Sequence, residues 1–416
     1  MPPAYRESNT CSSTRRATNG PARLYCDAVP NRVASALLVV AATAALAVLP
    51  VSGAAAAPVS ANPAEPTAST GTLVSASPSP APIPGSADAQ RITYWSTGPQ
   101  DRPALSTGGV YLPAGTPPEG GWPVLAWAHG TSGLGDDCAP SVIGPTLPDR
   151  DYPYLNRWLD EGYAIVATDY VGLGTPGVHP YLDGKTSAHS VVDSVTAARA
   201  LHPELSNRWA VVGQSQGGGA AVTTARYATQ FQAPDLDFRG AVGTGVPANI
   251  ELALLPLGPG VPPVAISDGL TEYVLYILAG LRSARPDIDL DSYLTPLGRE
   301  WVDRAETVCA VPFEEEVRGL RLGDLFSRPL AQVPDLYGVL NGYMGVPTSG
   351  YDRPVFIGQG LADVDVPAPS ALSLVAAMTA NGEPLTFRTY PGDHSAAFRD
   401  SQPDAIAFVN GLFGRP

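Results

Sequence analysis

The 416-residue chain is poor in lysine, methionine, histidine and cysteine, and several of these scarcities close off a class of chemistry. Lysine occurs once, as Lys185, and acidic residues outnumber basic ones 39 to 25, for a formal net charge of −14. Residues 1–57 are themselves net basic, so the remainder is more acidic still. Such a surface repels phosphate backbones and anionic membrane faces, which argues against a nucleic-acid role. None of the cysteines stands at ligand spacing from a second Cys or a His, so no metal site is expected.

Long apolar runs are equally scarce. One stands near the start, Val33 to Leu49, preceded by Arg32 and followed by Pro50, Gly53 and the small residues Ala54 to Ala57. A charged flank, a greasy stretch and a small-residue site are the parts of a secretory signal, so residues 1–57 are read as a signal region and the protein as exported. An uncleaved membrane tether is the alternative, because Val33–Ala57 is long enough to span a bilayer. Cys11 and Cys26 precede the cleavage site, which leaves Cys138 and Cys309 to meet an oxidising compartment. One disulfide is the expected outcome and two buried thiols the alternative.

What the chain does have is apolar mass: 44% of its residues are hydrophobic, enough for a core of some size. Residues 58–88 are nearly all Ala, Pro, Ser, Thr and Gly and read as a disordered linker. From residue 89 to 416, short β-branched runs alternate with helical patterns, which predicts a mostly parallel sheet flanked by helices. Strands are expected at 123–128, 163–168, 209–212, 240–243, 354–358 and 385–390, and helices at 187–201, 217–230, 369–381 and 396–412. Between about 246 and 352 no strand is evident. Helical stretches there, such as 271–281, 292–304 and 334–344, predict a cap inserted over the carboxyl edge of the sheet.

The sharpest chemical signal is Gly213-Gln214-Ser215-Gln216-Gly217, placed between the strand WAVV and a helix. A serine on so tight a strand-to-helix turn projects its hydroxyl, and the flanking glycines leave room for neighbouring backbone. Ser215 is therefore the candidate nucleophile. His394 is the one histidine after Ser215 and follows the last expected strand, so it is the candidate base. The supporting acid should end an intervening strand, where Asp363 and Asp365 compete; Asp363, nearer the strand end, is preferred. The backbone N–H groups of Gln216 and Thr131 are the expected oxyanion donors, with Gly130 permitting the turn and His129 bracing the loop. This chemistry requires neither a metal nor an organic cofactor.

These residues, together with HGTSGLGDDCAPS at 129–141, ATDYVGLGTPGVHPYL at 167–182, VVGQSQGGGAA at 211–221, and GLADVDVP and GDHSAAF near the end, resemble the secretory lipase family of the α/β-hydrolases. The resemblance covers the chain from about residue 90 and implies an α/β-hydrolase fold with a helical cap. It also implies a triad of Ser215, Asp363 and His394, a Cys138–Cys309 disulfide, and hydrolysis of carboxylic esters, triacylglycerols first among them. A short-chain or polyester-cleaving esterase is the nearest alternative; an acyltransferase and a non-catalytic binding protein on the same fold are further ones. The expected partner is an ester substrate, with an oil–water interface as its setting, and no protein partner is implied. Fungal members carry an acidic residue near the place of Gly130-Thr131, so backbone donors are the expected oxyanion stabilisers here.

Overall fold

In the computed structural model, residues 69–261 and 267–415 are described; the expected signal region and residues 58–68 of the expected linker lie outside them. Central strands of a parallel sheet are covered on both faces, so they must be apolar throughout, and that requirement is visible in β4 (Trp122–Ala128), β5 (Ala164–Thr168) and β6 (Leu205–Gln214). With β7 (Asp237–Thr244), β8 (Val355–Gly360) and β9 (Leu385–Tyr390) they form the parallel part of one nine-stranded sheet. Its order is β1-β2-β3-β5-β4-β6-β7-β8-β9. This is the mostly parallel α/β-hydrolase architecture that the sequence predicts.

The far edge departs from expectation. β1 (Leu73–Pro78), β2 (Asp88–Thr97) and β3 (Pro103–Leu112) pair antiparallel with one another, and β3 pairs antiparallel with β5. Residues 73–78 therefore belong to the sheet and not to the linker expected over 58–88. The reason is physical: β1 is almost wholly exposed, and backbone hydrogen bonds to β2 hold it in place. Composition alone does not show that.

Alternation along β4 sends its side chains to two cores. Val124, Ala126 and Ala128 face a layer that includes α2 (Gly184–Leu201) and α3 (Gln216–Phe231). Leu125 and Trp127 face the opposite layer, where Tyr154, Leu155 and Trp158 of α1 (Pro148–Asp160) meet Phe398 and Val409. The helix expected over 396–412 is two, His394–Asp400 and Gln402–Phe413, broken at Ser401 where Pro403 opens the second.

Between β7 and β8 the chain builds a helical segment with a core of its own. Its helices are α4 (Asp268–Ala284), α5 (Pro296–Ala305), α6 (Ala310–Glu316) and α7 (Leu336–Met344). Leu275, Tyr276, Phe313, Leu325, Phe326 and Leu340 are buried together in it. A disulfide joins Cys138, in the loop after β4, to Cys309 at the start of α6. No helix among the described residues is long and apolar enough to cross a membrane.

One buried acid on α2 makes stability depend on pH. Asp193 is 2% exposed and accepts a 2.8 Å hydrogen bond from Ser96 Oγ on β2. Burial raises its pKa from 3.8 to about 7. The folded state thus holds a proton that the unfolded chain releases, so this stabilisation is complete below about pH 4 and is lost as pH rises through 7. Asp193→Asn is expected to flatten the decline in urea-unfolding stability between pH 5 and 8; a decline as steep as in the parent protein would refute the assignment.

Candidate active site

The site is assembled where β6 ends. Ser215, between β6 and α3, adopts φ 59° and ψ −126°, a strained conformation for a residue with a side chain. Its N–H donates to Thr244 O at 2.9 Å, which ties the turn to the end of β7. Close approach explains both predicted glycines. A Cβ on Gly217 would strike the Ala128 carbonyl, and one on Gly213 would strike the Gly217 carbonyl.

His394 opens the helix after β9, and its Nδ1 stands 2.6 Å from Asp363 Oδ2. Asp363, in the turn after β8, is 6% exposed and accepts further hydrogen bonds from the backbone N–H groups of Asp365 and Val366, at 3.0 and 2.8 Å, and from Gln359 Nε2 at 3.3 Å. With so many donors, that carboxylate is fixed in place. Of the two competing aspartates, the structure brings Asp363 to the imidazole. Asp365 instead donates its backbone N–H to the Asp363 carboxylate. His394 Nε2 is buried and has no hydrogen-bond partner among the described residues.

The ring is seated by a residue the sequence did not single out. Gly245 follows Thr244 with φ +56°, and a Cβ there would come 2.5 Å from His394 Cε1. The imidazole therefore lies against the residue next to the one that anchors Ser215. Gln359 and His179 were missed as well. His179 is fully covered, burial lowers its pKa to about 3, and the neutral ring donates from Nδ1 to Val171 O at 2.9 Å. Its Nε2 then accepts from Gln216 Nε2 at 2.8 Å, which fixes the side chain beside the nucleophile. The signal available was its place in the VHPYL segment, but nothing local pairs it with Gln216.

The loop after β4 abuts the same point. A Cβ on Gly130 would lie 3.5 Å from Ser215 Cβ, so residues 129–131 pass directly beside the turn. Thr131 is held by its Oγ1, 2.6 Å from the Tyr181 hydroxyl, and by its carbonyl, which accepts from Thr146. His129 packs against Tyr170 with the two rings tilted, and contacts the Gly130 and Asp169 carbonyls at 2.6 and 3.4 Å; burial lowers its pKa. Asp169 accepts from Thr107 Oγ1 and from both the N–H and the hydroxyl of Ser141. The DYVGLG block thereby locks the Cys138 loop to the sheet.

Above Ser215 and Gln216 opens a cavity of about 960 Å³, walled chiefly by apolar side chains of the helical segment, including Leu254, Leu257, Val274, Ile277 and Leu320. Tyr181, Asp365 and Val366 complete its lower wall. Asp363, Asp365 and His394 group their polar atoms within 4.8 Å of one another, yet the Asp363–His394 hydrogen bond already accounts for the central pair. A buried acid–histidine pair, a strained serine and a large apolar cavity form an arrangement suited to acyl transfer.

Fold and site together define an α/β-hydrolase-fold protein. The secretory lipase family matches residues 147–260, the stretch that runs from α1 through the serine turn to the first residues beyond β7. This chain resembles that family, and the resemblance read in its motifs stands. A protein of Mycobacterium tuberculosis (strain CDC 1551 / Oshkosh) named a probable inactive lipase is 24% identical over 358 residues, spanning 80% of this chain and 76% of its own. Lipase A of Candida antarctica in its closed state superposes with a TM-score of 0.69 at 21% identity, covering 84% of each chain. The rice cell wall degrading esterase LipA of Xanthomonas oryzae gives 0.64 at 18% identity, over 82% of this chain and 98% of that one. The family match supports a lipase-like or esterase function; at this identity the two solved structures speak to the fold alone.

Proposed function

We propose that the protein is a secreted serine hydrolase of carboxylic esters, with triacylglycerols or similar lipid esters as substrate. Ser215 attacks the ester carbonyl while His394 takes its proton through Nε2, the nitrogen left unpartnered. Asp363 holds the opposite nitrogen and stabilises the imidazolium that forms. Backbone N–H groups of Gln216, at the start of α3, and of Thr131 receive the developing oxyanion. His394 returns the proton to the leaving alcohol, and water, activated in the same way, releases the acid.

The observation that carries this reading is the convergence of the Asp363–His394 pair and the strained Ser215 beneath an apolar cavity. Cavity size favours a long acyl chain over an acetyl group, since each buried CH₂ contributes about 0.8 kcal/mol. An acyl-length series of p-nitrophenyl esters on the purified protein is expected to show kcat/KM rising from acetate to octanoate or beyond. A maximum at acetate or butyrate would favour the short-chain esterase reading. Export is supported by the disulfide and by the secretory character of the related family.

A further inference from the structure

Among the described residues, one charged side chain of the cavity wall has no bonded partner. Four charged residues line the cavity: Asp268, Arg321, Asp324 and Asp365. Arg321 is bonded to Asp324 at 2.7 Å, and Asp268 lies 3.6 Å from Arg318. Asp365 is different. It is half-buried beside the candidate triad, and among the described residues no cation or donor bonds its carboxylate; only its backbone N–H is engaged.

The groups around it do not cancel that charge. Asp363 and Asp393 add like charges from the same side, and Asp393 is occupied in capping the helix that His394 opens. Arg150 attracts Asp365 from α1, but its guanidinium is spent on Asp151 at 2.7 Å and Ser395 at 3.3 Å. His394 is committed to Asp363. From the helical segment, the neutral phenol of Tyr273 on α4 feels the Asp365 charge. An unpaired, partly desolvated carboxylate costs stability, and this one faces the cavity that a ligand would fill.

We propose that Asp365 is a specificity-determining residue that acts as a charge filter: it admits neutral esters, disfavours anionic ones, and drives out the carboxylate that hydrolysis produces. This rests on the ester-hydrolase reading for its biological sense, but the charge effect itself is measurable as binding. A neutral ester and its product acid differ at the scissile carbon by one negative charge, and in a cavity only partly open to water a like charge nearby weakens binding by about tenfold.

The test compares hexanoate with hexanamide by titration calorimetry, for the parent protein, Asp365→Asn and Asp365→Glu. The parent protein is expected to bind hexanamide at least about tenfold more tightly than hexanoate. Asp365→Asn should remove most of that preference, and Asp365→Glu, which restores the charge, should keep it. Equal affinities in the parent protein would overturn the proposal without any variant, and an unchanged preference in Asp365→Asn would overturn it too. Kinetics separate this from the parent reading. The kcat/KM ratio for p-nitrophenyl hexanoate over the p-nitrophenyl ester of 4-sulfobutyrate, whose sulfonate stays ionised, should narrow about tenfold in Asp365→Asn. Turnover that survives Ser215→Ala would count against the ester mechanism and leave the binding result standing; an unchanged ratio with a Ser215-dependent reaction would remove the filter alone.

Discussion

Replacing Ser215 with alanine is expected to lower kcat for p-nitrophenyl octanoate by about 10³-fold or more while leaving thermal unfolding nearly unchanged. The size follows from the two-step reaction. Without the hydroxyl no acyl-enzyme forms, and the oxyanion donors and cavity retain only binding and polarisation. Ser215 holds φ 59° because its own N–H is bonded to Thr244 and the next turn of backbone is packed against Ala128, so alanine takes the same strained place. A fluorophosphonate probe gives the matching covalent readout: the parent protein should be labelled once, on the peptide containing Ser215, and the variant should not. The experiment carries weight because the M. tuberculosis relative is named a probable inactive lipase. An unlabelled parent protein with no esterase turnover would place this chain with the silent members of the fold.

How far the sequence reveals this molecule depends on where each residue's partners lie. Strands β4 to β8 are legible because an interior parallel strand must be apolar on both faces, whereas β9 is a half-exposed edge strand and is found by its β-branched and aromatic residues; all six expected runs fall within or overlap these strands. β1 to β3 are not, since β1 is exposed and β2 alternates only at its far end. Helix α1 escaped notice because Pro153 sits inside it and reads as a breaker, although Tyr154, Leu155, Trp158 and Leu159 are its buried face.

The same distinction holds in the site. Ser215, Asp363 and His394 could be chosen because each has a required place, at a glycine turn, a strand end or the loop beyond the last strand. Gly245 and Gln359, and His179 in its role, could not. Their meaning lies in contacts with His394, Asp363 and Gln216, which no local pattern encodes. The choice between Asp363 and Asp365 shows the limit well: two residues apart, one carboxylate meets the imidazole and the other the cavity.

Removing the Cys138–Cys309 bridge, as Cys138→Ser with Cys309→Ser, is expected to have the largest effect on stability. The two cysteines are 171 residues apart, and releasing a loop of that length from the unfolded chain corresponds to about 5 kcal/mol in the chain-entropy account. The bridge also pins a particular junction. Gly133 and Gly135 pass so close to Cys309 and Thr307 that no Cβ fits, and Ala310 N–H bonds to Ser132 O at 3.1 Å. The loop tied down in this way continues from Gly130 and Thr131 beside the nucleophile, while the other cysteine begins α6 of the segment that walls the cavity. Loss of the bridge should therefore lower the melting temperature by several degrees and, below that temperature, reduce kcat/KM for long-chain esters more than for acetate. Unfolding that occurs within about 1 °C of the parent protein would mean that the packing around Gly133 holds the junction without the covalent link. An equal loss on short and long esters would mean that the link matters for stability and not for the shape of the acyl cavity.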